Sequence, residues 1–170
     1  DEITLIPQAM SIVADEVIDL HRQLVPYGYD EINVNLGCPS GTVVSKKRGS
    51  GILAYPDMLD SFLDELYTKA DFPVSIKTRV GFNDDELWPR LIEIYSKYPI
   101  SELTVHPRVQ KDFYKNTPRM DDFALAMQKI NPDKTTLCYN GDITDTNSFN
   151  ALTDCFPDID EIMIGRGLFA

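Results

Sequence analysis

Long hydrophobic runs and abundant cysteine are both missing from this 170-residue sequence. No apolar stretch approaches the roughly 20 residues that a membrane-spanning helix needs, and we expect neither a secretory leader nor a membrane partner. The three cysteines, Cys38, Cys138 and Cys155, lie far apart, without the paired spacing of a disulfide framework or a zinc site. The sequence therefore predicts a cytoplasmic protein without a bound metal.

Positive charge is also scarce, since 16 lysines and arginines stand against 27 acidic residues and leave a net charge of −11. This excludes a polybasic binding protein, so any contact with nucleic acid must use local basic patches. The length and the 43% hydrophobic content suffice for one sizeable core. Because the sequence begins "DEITLIPQ" without a methionine, we expect a piece of a longer protein.

Short apolar runs alternate with helical patterns along the chain. The runs show little polar alternation, which is typical of strands that are buried on both faces. Helical spacing of apolar residues follows them, as at 59–66 after the helix start Pro56-Asp57, and Thr144 is predicted to cap the last helix. Strand followed by helix predicts an α/β protein with a parallel sheet. The apolar runs lie at residues 4–6, 32–34, 74–76, 103–105, 136–139 and 162–164.

The spacing of the runs favours a barrel. The predicted strand ends fall from residue 8 to residue 165, which gives about 31 residues for each of five intervals, the size of one βα repeat. Eight such repeats would need ~250 residues, as in a (β/α)₈ TIM barrel. Six repeats therefore predict an incomplete barrel, and an open doubly wound sheet remains the alternative.

Polar side chains stand where the predicted strands end. In either architecture the carboxyl ends of the strands carry the active site, so these side chains should meet at one rim. Long irregular connections follow at 36–56 and 107–120, and such loops are usually functional in compact domains. The rim residues are Gln8, Asn35, Cys38, Lys77, Arg79, His106, Arg108, Asn140, Asp142, Gly165 and Arg166.

Four rim features suggest specific chemistry. Cys38 lies between Gly37 and Pro39, beyond its strand, where a thiol can donate a proton to a ligand; most lone cysteines are instead buried apolar residues. Lys77 could bind phosphate, contact an electron-poor cofactor or form a Schiff base, or it could be an internal salt-bridge partner. His106 could donate to a ligand or fill the core. The Gly165-Arg166 stretch after the last strand suits a phosphate.

Basic residues concentrate in the two long connections. Residues 46–48 hold three positive charges, and residues 107–120 hold four together with Phe113 and Tyr114. Cationic loops with aromatic side chains could receive a polyanion whose base is splayed out and stacked. An ordinary solvated loop is the other interpretation.

The stretches "NVNLGCP", "SIKTRVG", "LTVHPR", "YNGDI" and "IGRG", in this order, resemble the tRNA-dihydrouridine synthases. The resemblance runs across nearly the whole chain, and Asn-x-Gly-Cys-Pro is its most specific part. It implies an FMN-dependent (β/α)₈ barrel that reduces uridine in tRNA to 5,6-dihydrouridine, with NADPH as the reductant of the flavin. Hydride comes from the reduced flavin, and the cysteine thiol protonates the other carbon of the uracil double bond.

The resemblance also implies roles for individual residues. Cys38 is the expected catalytic acid. Asn35 and Arg79 are expected to face the uracil of the substrate. The residues expected to bind FMN are Gln8, Lys77, His106, Asn140, Gly141, Asp142, Gly165 and Arg166.

Two departures from the family pattern bear on these roles. The first two barrel strands and the helical tRNA-binding domain that follows the barrel are absent, so residues 1–170 are expected to form a single partial FMN-binding barrel domain with strands three to eight. "HPR" stands where many members have "HGR", which should stiffen that loop. Without the first two strands, one of which precedes a flavin-contacting segment, we expect the isolated chain to bind FMN poorly and to have little activity. Its two open sheet edges favour association.

Other functions remain open at this point. The loosely shared motifs also suit a dihydroorotate-dehydrogenase-like FMN enzyme. A Schiff-base lyase or aldolase would use Lys77 as its amine. A non-enzymatic fragment could retain a phosphate site without chemistry.

Overall fold

The computed structural model describes residues 3–169 and contains one sheet of six parallel strands. Each strand is hydrogen-bonded to the next one along the chain, so the spatial order equals the sequence order. A doubly wound sheet reverses its strand order at a switch point, and this sheet does not. The strands are β1 Gln8–Ala9, β2 Ile32–Leu36, β3 Val74–Gly81, β4 Glu102–Val109, β5 Thr136–Asn140 and β6 Glu161–Met163.

Helices connect the strands and form the second layer. Proline at the first helical position begins α3, as predicted, because its missing N–H needs no partner there. Short 3₁₀ turns at 25–27, 49–54, 110–112 and 166–169 complete the connections. The helices are α1 Ala14–Leu24, α2 Gly41–Val44, α3 Pro56–Lys69, α4 Trp88–Tyr95, α5 Met120–Lys129 and α6 Thr146–Cys155.

The continuous strand order and the alternating helices make this chain an incomplete (β/α)₈ barrel, which confirms the predicted fold class. Parallel strands joined by helices place all carboxyl ends at one edge of the sheet. Within the described residues, β1 and β6 are the two sheet edges.

The two faces of the sheet differ because successive side chains of a strand point to opposite sides. Ile32, Val34 and Leu36 of β2 are fully buried in the core that the sheet shares with the helices. Asn33 and Asn35, which alternate with them, make polar contacts on the other face. The hydrophobic core thus lies between sheet and helices, and the opposite face is polar.

The first strand was predicted at the wrong position. Residues 4–6 form no strand, and Leu5 is 66% exposed. Gln8 pairs with Asn33, so residues 4–6 would lie beside 29–31, which precede the first residue of β2. Since the neighbouring strand has not yet begun there, the apolar run has no partner.

Two strands are longer than predicted, and one cap differs. β3 and β4 extend to Gly81 and Val109, so Arg79 and Pro107 lie within strands rather than in loops. Pro107 falls where the register between β3 and β4 shifts, and such bulges tolerate a residue without an N–H.

The N-cap of α6 also differs from the prediction. Asp145, not Thr144, caps α6, since its carboxylate accepts from Ser148 N at 2.7 Å.

No helix among residues 3–169 is long and apolar enough to cross a membrane.

Candidate functional site

A cavity of about 430 Å³ opens at the carboxyl ends of the strands. Side chains from all six strands or from the loops that follow them line it. The eleven residues to which the resemblance assigns roles are all among the lining residues, so the structure brings them together, whereas their individual roles stay predictions. These residues are Gln8, Asn35, Cys38, Lys77, Arg79, His106, Asn140, Gly141, Asp142, Gly165 and Arg166. Arg108, which the sequence also placed at the rim, is buried and does not line the cavity.

The backbone turn that presents Cys38 is shaped by its neighbours. Asn35 Oδ1 accepts hydrogen bonds from the N–H groups of Gly37 and Cys38, at 3.0 and 2.9 Å. Ser50 Oγ donates to the carbonyl oxygen of Cys38 at 2.8 Å. Gly49 has φ +55°, and a Cβ there would lie 2.7 Å from the same carbonyl oxygen, so the site requires glycine. Cys38 is therefore held, partly exposed, at the cavity wall.

A chain of side-chain amides continues from this turn across the inner face. Asn35 Nδ2 donates to Gln8 Oε1 at 2.8 Å, and Gln8 Nε2 donates to Asn33 Oδ1 at 2.7 Å. Asn33 Nδ2 in turn donates to Ser75 Oγ at 3.0 Å. Because each amide has a protein partner, the network fixes β1 against β2 and β3.

Lys77 lines the cavity from β3, and its side chain is partly buried. Its Nζ donates to Asn140 Oδ1 at 2.9 Å, and Asn140 Nδ2 donates to the carbonyl of Met163 at 2.9 Å. Burial, and secondarily the nearby charge of Arg79, lower the pKa of Lys77 to about 8. Among residues 3–169 no carboxylate is hydrogen-bonded to Lys77, so an internal salt bridge within this part of the chain does not account for the lysine.

His106 is neutral at physiological pH. Burial, followed by the charges of Arg79, Lys77 and Arg108, lowers the pKa of its imidazole to about 3. Arg108 Nη1 lies 3.0 Å from His106 Nε2, and since arginine can only donate, Nε2 accepts. The proton of the neutral ring is therefore on Nδ1, which makes His106 a donor among the lining residues.

Two arginines hold the loop after β5. The buried guanidinium of Arg108 donates to Asp142 Oδ1 at 3.0 Å, and Arg166 Nη2 donates to the same oxygen at 2.7 Å. Hydrogen bonding to Arg108 lowers the pKa of the Asp142 carboxyl. Asp142 also has φ +49°, so this carboxylate stabilises the shape of the loop. Arg166 is more than half exposed and lines the cavity beside Gly165.

Tyr114 lines the cavity, whereas the sequence indicated it only as one of two aromatic residues in a basic loop and not as a site residue. Its ring lies beneath two guanidinium groups, with the Arg166 and Arg79 Cζ atoms 5.1 and 5.7 Å from the ring centroid. The side chain is 57% exposed. The aromatic residues of the 107–120 loop were the available signal, but only the fold brings Tyr114 to this cavity.

Asn35 and Arg79, the residues expected to face the substrate, both line the cavity. Their polar atoms, however, already bond to protein groups. Direct contact of either side chain with a substrate stays a prediction.

A second cluster lies away from this cavity. Potential ligand atoms of Glu102, Cys138 and Glu161 are within 4.8 Å of one another. Burial raises the pKa of the Cys138 thiol to about 12, and hydrogen bonding with Glu102 raises that of the Glu161 carboxyl. A thiol with so high a pKa stays protonated near neutral pH, whereas a metal ligand must lose its proton. The expected absence of a metal stays a prediction.

The donor set of the main cavity suits an anionic ligand with a polar ring. Lys77 and Arg166 supply positive charge, and no Cβ contact would arise at Gly165, so its backbone is approachable. Gln8 and His106 add neutral polar groups. Together with the strand order, these features define a (β/α)₈-barrel protein with a ligand pocket at the carboxyl ends of its strands.

Comparison with known proteins identifies the family. The dihydrouridine synthase (Dus) family model matches residues 7–170. A probable tRNA-dihydrouridine synthase of Staphylococcus aureus is 33% identical over 151 residues, with 86% of this chain and 45% of the relative covered. tRNA-dihydrouridine synthase B of Escherichia coli is 32% identical over 152 residues, with 89% and 46% covered. The chain belongs to the dihydrouridine synthase family and spans less than half the length of these relatives.

Proposed function

We propose that the protein containing this chain reduces uridine in tRNA to 5,6-dihydrouridine. The observation that carries the proposal is the convergence of Cys38, Lys77, His106 and Arg166 on one cavity of a dihydrouridine synthase barrel. The relatives named as tRNA-dihydrouridine synthases support tRNA as the substrate. A cytoplasmic location follows from that substrate.

FMN is the proposed cofactor, because the cavity offers the groups that it needs. Arg166, with the backbone at Gly141 and Gly165, would hold its phosphate. Lys77, His106 and Gln8 would contact the ring system, and Asn140 and Asp142 would hold these groups in place. When bound, FMN would supply the hydride, with NADPH as its reductant. The pKa of Lys77 near 8 leaves the amine largely protonated at pH 7, so it can stabilise negative charge on a ring.

Cys38 is the proposed proton donor to the uracil. Its turn holds the thiol beside the cavity, where a base can approach it, while Cys138 is buried in the sheet. The thiol would donate its proton to one carbon of the uracil ring and would itself become a thiolate. Because its pKa lies far below 7, His106 is neutral and carries no second proton to release, so its remaining N–H acts as a hydrogen-bond donor and not as a general acid.

The basic loops are the proposed tRNA contacts of this chain. Lys46, Lys47, Lys111 and Lys115 lie in the two connections that border the cavity. Phosphate contacts of this kind position a nucleic acid without reading its sequence. We further propose that the longer protein supplies the two remaining barrel strands and a helical tRNA-binding domain, so that residues 1–170 are one partial FMN-binding domain.

Replacing Cys38 by alanine in the longer protein tests this function. We expect FMN binding to stay unchanged and dihydrouridine formation to fall by about 10²–10⁴-fold, the usual contribution of a positioned acid. Cys155→Ala is the matched control, because that cysteine is exposed on α6. Turnover of the Cys38 variant equal to that of the control, measured by mass spectrometry of the tRNA, would exclude the assigned role.

The lowered pKa of Lys77 favours a second candidate, a Schiff-base lyase or aldolase. An amine with a pKa near 8 is a better nucleophile at pH 7 than an ordinary lysine. Borohydride in the presence of a carbonyl substrate would then reduce the imine and leave the substrate covalently attached to Lys77. A purified protein with a flavin absorption spectrum and no such adduct would decide against this candidate.

A further inference from the structure

Arg79 lies in β3 with only 2% of its surface exposed, yet its guanidinium bonds to no carboxylate of the residues that the structure describes. Instead it donates three hydrogen bonds to backbone carbonyls. Nε donates to Gly37 at 3.0 Å, Nη1 to Val109 at 3.0 Å and Nη2 to Phe113 at 2.7 Å. A buried arginine whose donors end on carbonyls serves the backbone that it contacts.

The three carbonyls belong to two separate segments. Gly37 directly precedes Cys38 in the turn after β2. Val109 and Phe113 bracket the turn after β4, and Phe113 directly precedes Tyr114, whose ring lies under the Arg79 guanidinium. The guanidinium of Arg79 therefore connects the turn that carries Cys38 to the loop that follows β4.

A second side chain connects the same two segments. Gln110 Nε2 donates to the carbonyl of Pro39 at 2.8 Å. Arg79 and Gln110 thus bond to the two residues that flank Cys38 in the sequence, Gly37 and Pro39. Two side chains, Arg79 and Gln110, therefore connect the Cys38 turn to the loop after β4.

We propose that Arg79 is a positioning residue that holds the Cys38 turn and the 110–115 loop as one unit. It acts through Cys38 and Tyr114, without contacting the substrate itself. The catalytic consequence rests on the proposed function: when the unit loosens, the thiol loses its place and proton donation slows. The mechanical coupling of the two segments does not depend on which reaction is catalysed.

Amide hydrogen exchange of the longer protein measures the coupling directly. We expect Arg79→Ala to increase exchange about tenfold or more at both 37–40 and 110–115, because each segment loses buried hydrogen bonds. Arg79→Lys should restore part of the protection, since an ammonium has three donors but lacks the planar fork. Arg119→Ala is the matched control: Arg119 bonds Asp112 and Asp85, so its loss should increase exchange at 110–115 and leave exchange at 37–40 unchanged.

Gln110→Ala provides a test that keeps the buried charge. If Arg79→Ala does not fold, raised exchange at both segments in Gln110→Ala supports the coupling. Raised exchange at 110–115 with no change at 37–40, in either variant, overturns it.

Kinetics separate positioning from substrate contact. A positioning role predicts a lower kcat for Arg79→Ala with KM for tRNA changed less than about threefold, whereas a substrate contact would raise KM. A raised KM with unchanged exchange at 37–40 would overturn the proposal. Should Cys38→Ala retain full turnover, the proposed acid fails, yet the exchange result still decides the coupling.

Discussion

The two faces of the sheet are built from alternate residues of the same strands and obey different physics. Ile76 and Val105 face the helices and are fully buried in apolar surroundings. Lys77 and His106, the next residue of each strand, face the cavity, where burial lowers both pKa values. The helix-facing side stabilises the fold through apolar burial, whereas burying polar and charged groups on the cavity side lowers the free energy of unfolding.

This difference teaches that stability and function can be changed almost independently on one strand. Side chains of the helix-facing side meet neighbours at close-packed density. Side chains of the cavity side end in hydrogen bonds that fix positions. Substitutions on the two faces should therefore give opposite patterns of stability and ligand affinity.

The largest effect is expected on the helix-facing side. Ile76→Ala in the longer protein should lower the free energy of unfolding by about 2–5 kcal/mol, since it removes a fully buried side chain from the core. Urea unfolding measures the loss. FMN affinity of the remaining folded protein should stay within about threefold, and a much weaker affinity would show that the two faces are not independent.

The neighbouring residue on the cavity side should behave in the opposite way. Lys77→Met should weaken FMN binding about 10–100-fold, because one charge-assisted hydrogen bond is lost. Fluorescence titration of the flavin measures this, and Lys69→Met, on the exposed end of α3, is the control.

The difference in stability between the ligand-free wild type and Lys77→Met should depend on pH in a defined way. The folded-state pKa of about 8 lies below the ordinary 10.5, so the native state binds fewer protons between these values. The free energy of unfolding of the wild type therefore rises as the pH increases from 8 to 10.5. Below pH 8 the ammonium is charged in both states, and its burial destabilises the fold to the full extent. Lys77→Met should exceed the wild type in urea unfolding at pH 7 and lose that advantage by pH 10. No advantage at pH 7 would contradict the assigned burial cost.

A smaller effect is expected away from both faces, at the start of α5. Burial and the charge of Asp85 raise the pKa of Asp122 to about 6, and its Oδ2 has no hydrogen-bond partner within the described residues. The native state then binds more protons between pH 4 and 6, so stability falls as the pH rises through that range. Asp122→Asn should raise stability by less than about 1 kcal/mol at pH 7.5 and not at pH 4.

The exposed neighbour Asp121 is the control for this prediction, measured by thermal unfolding at both pH values. Asp121→Asn should change stability by less than about 0.5 kcal/mol. Equal shifts in the two variants would assign the effect to net charge rather than to the buried carboxyl.

Much of the fold and of the cavity lining could be predicted from sequence, because the signals are local. Buried strands, helix stripes and the length of the βα repeat depend on nearby residues, and parallel strands bring their carboxyl ends together. The failures concern pairing. The run at 4–6 is apolar but meets no neighbour, and Arg79 lies inside a strand that the periodicity ended too early. Asp145 displaced Thr144 as the cap because Ser148 completes the pair of hydrogen bonds.

The sequence by itself determined the incomplete barrel and the residues that meet at its rim, since alternation and repeat length follow from backbone geometry. Only the tertiary structure decided what those residues do for one another. Arg79 bonds to carbonyls at least thirty residues away, the guanidinium of Arg108 selects the His106 tautomer, and Tyr114 reaches the cavity through its loop. These contacts depend on distance in space and burial, which no local pattern of residues records.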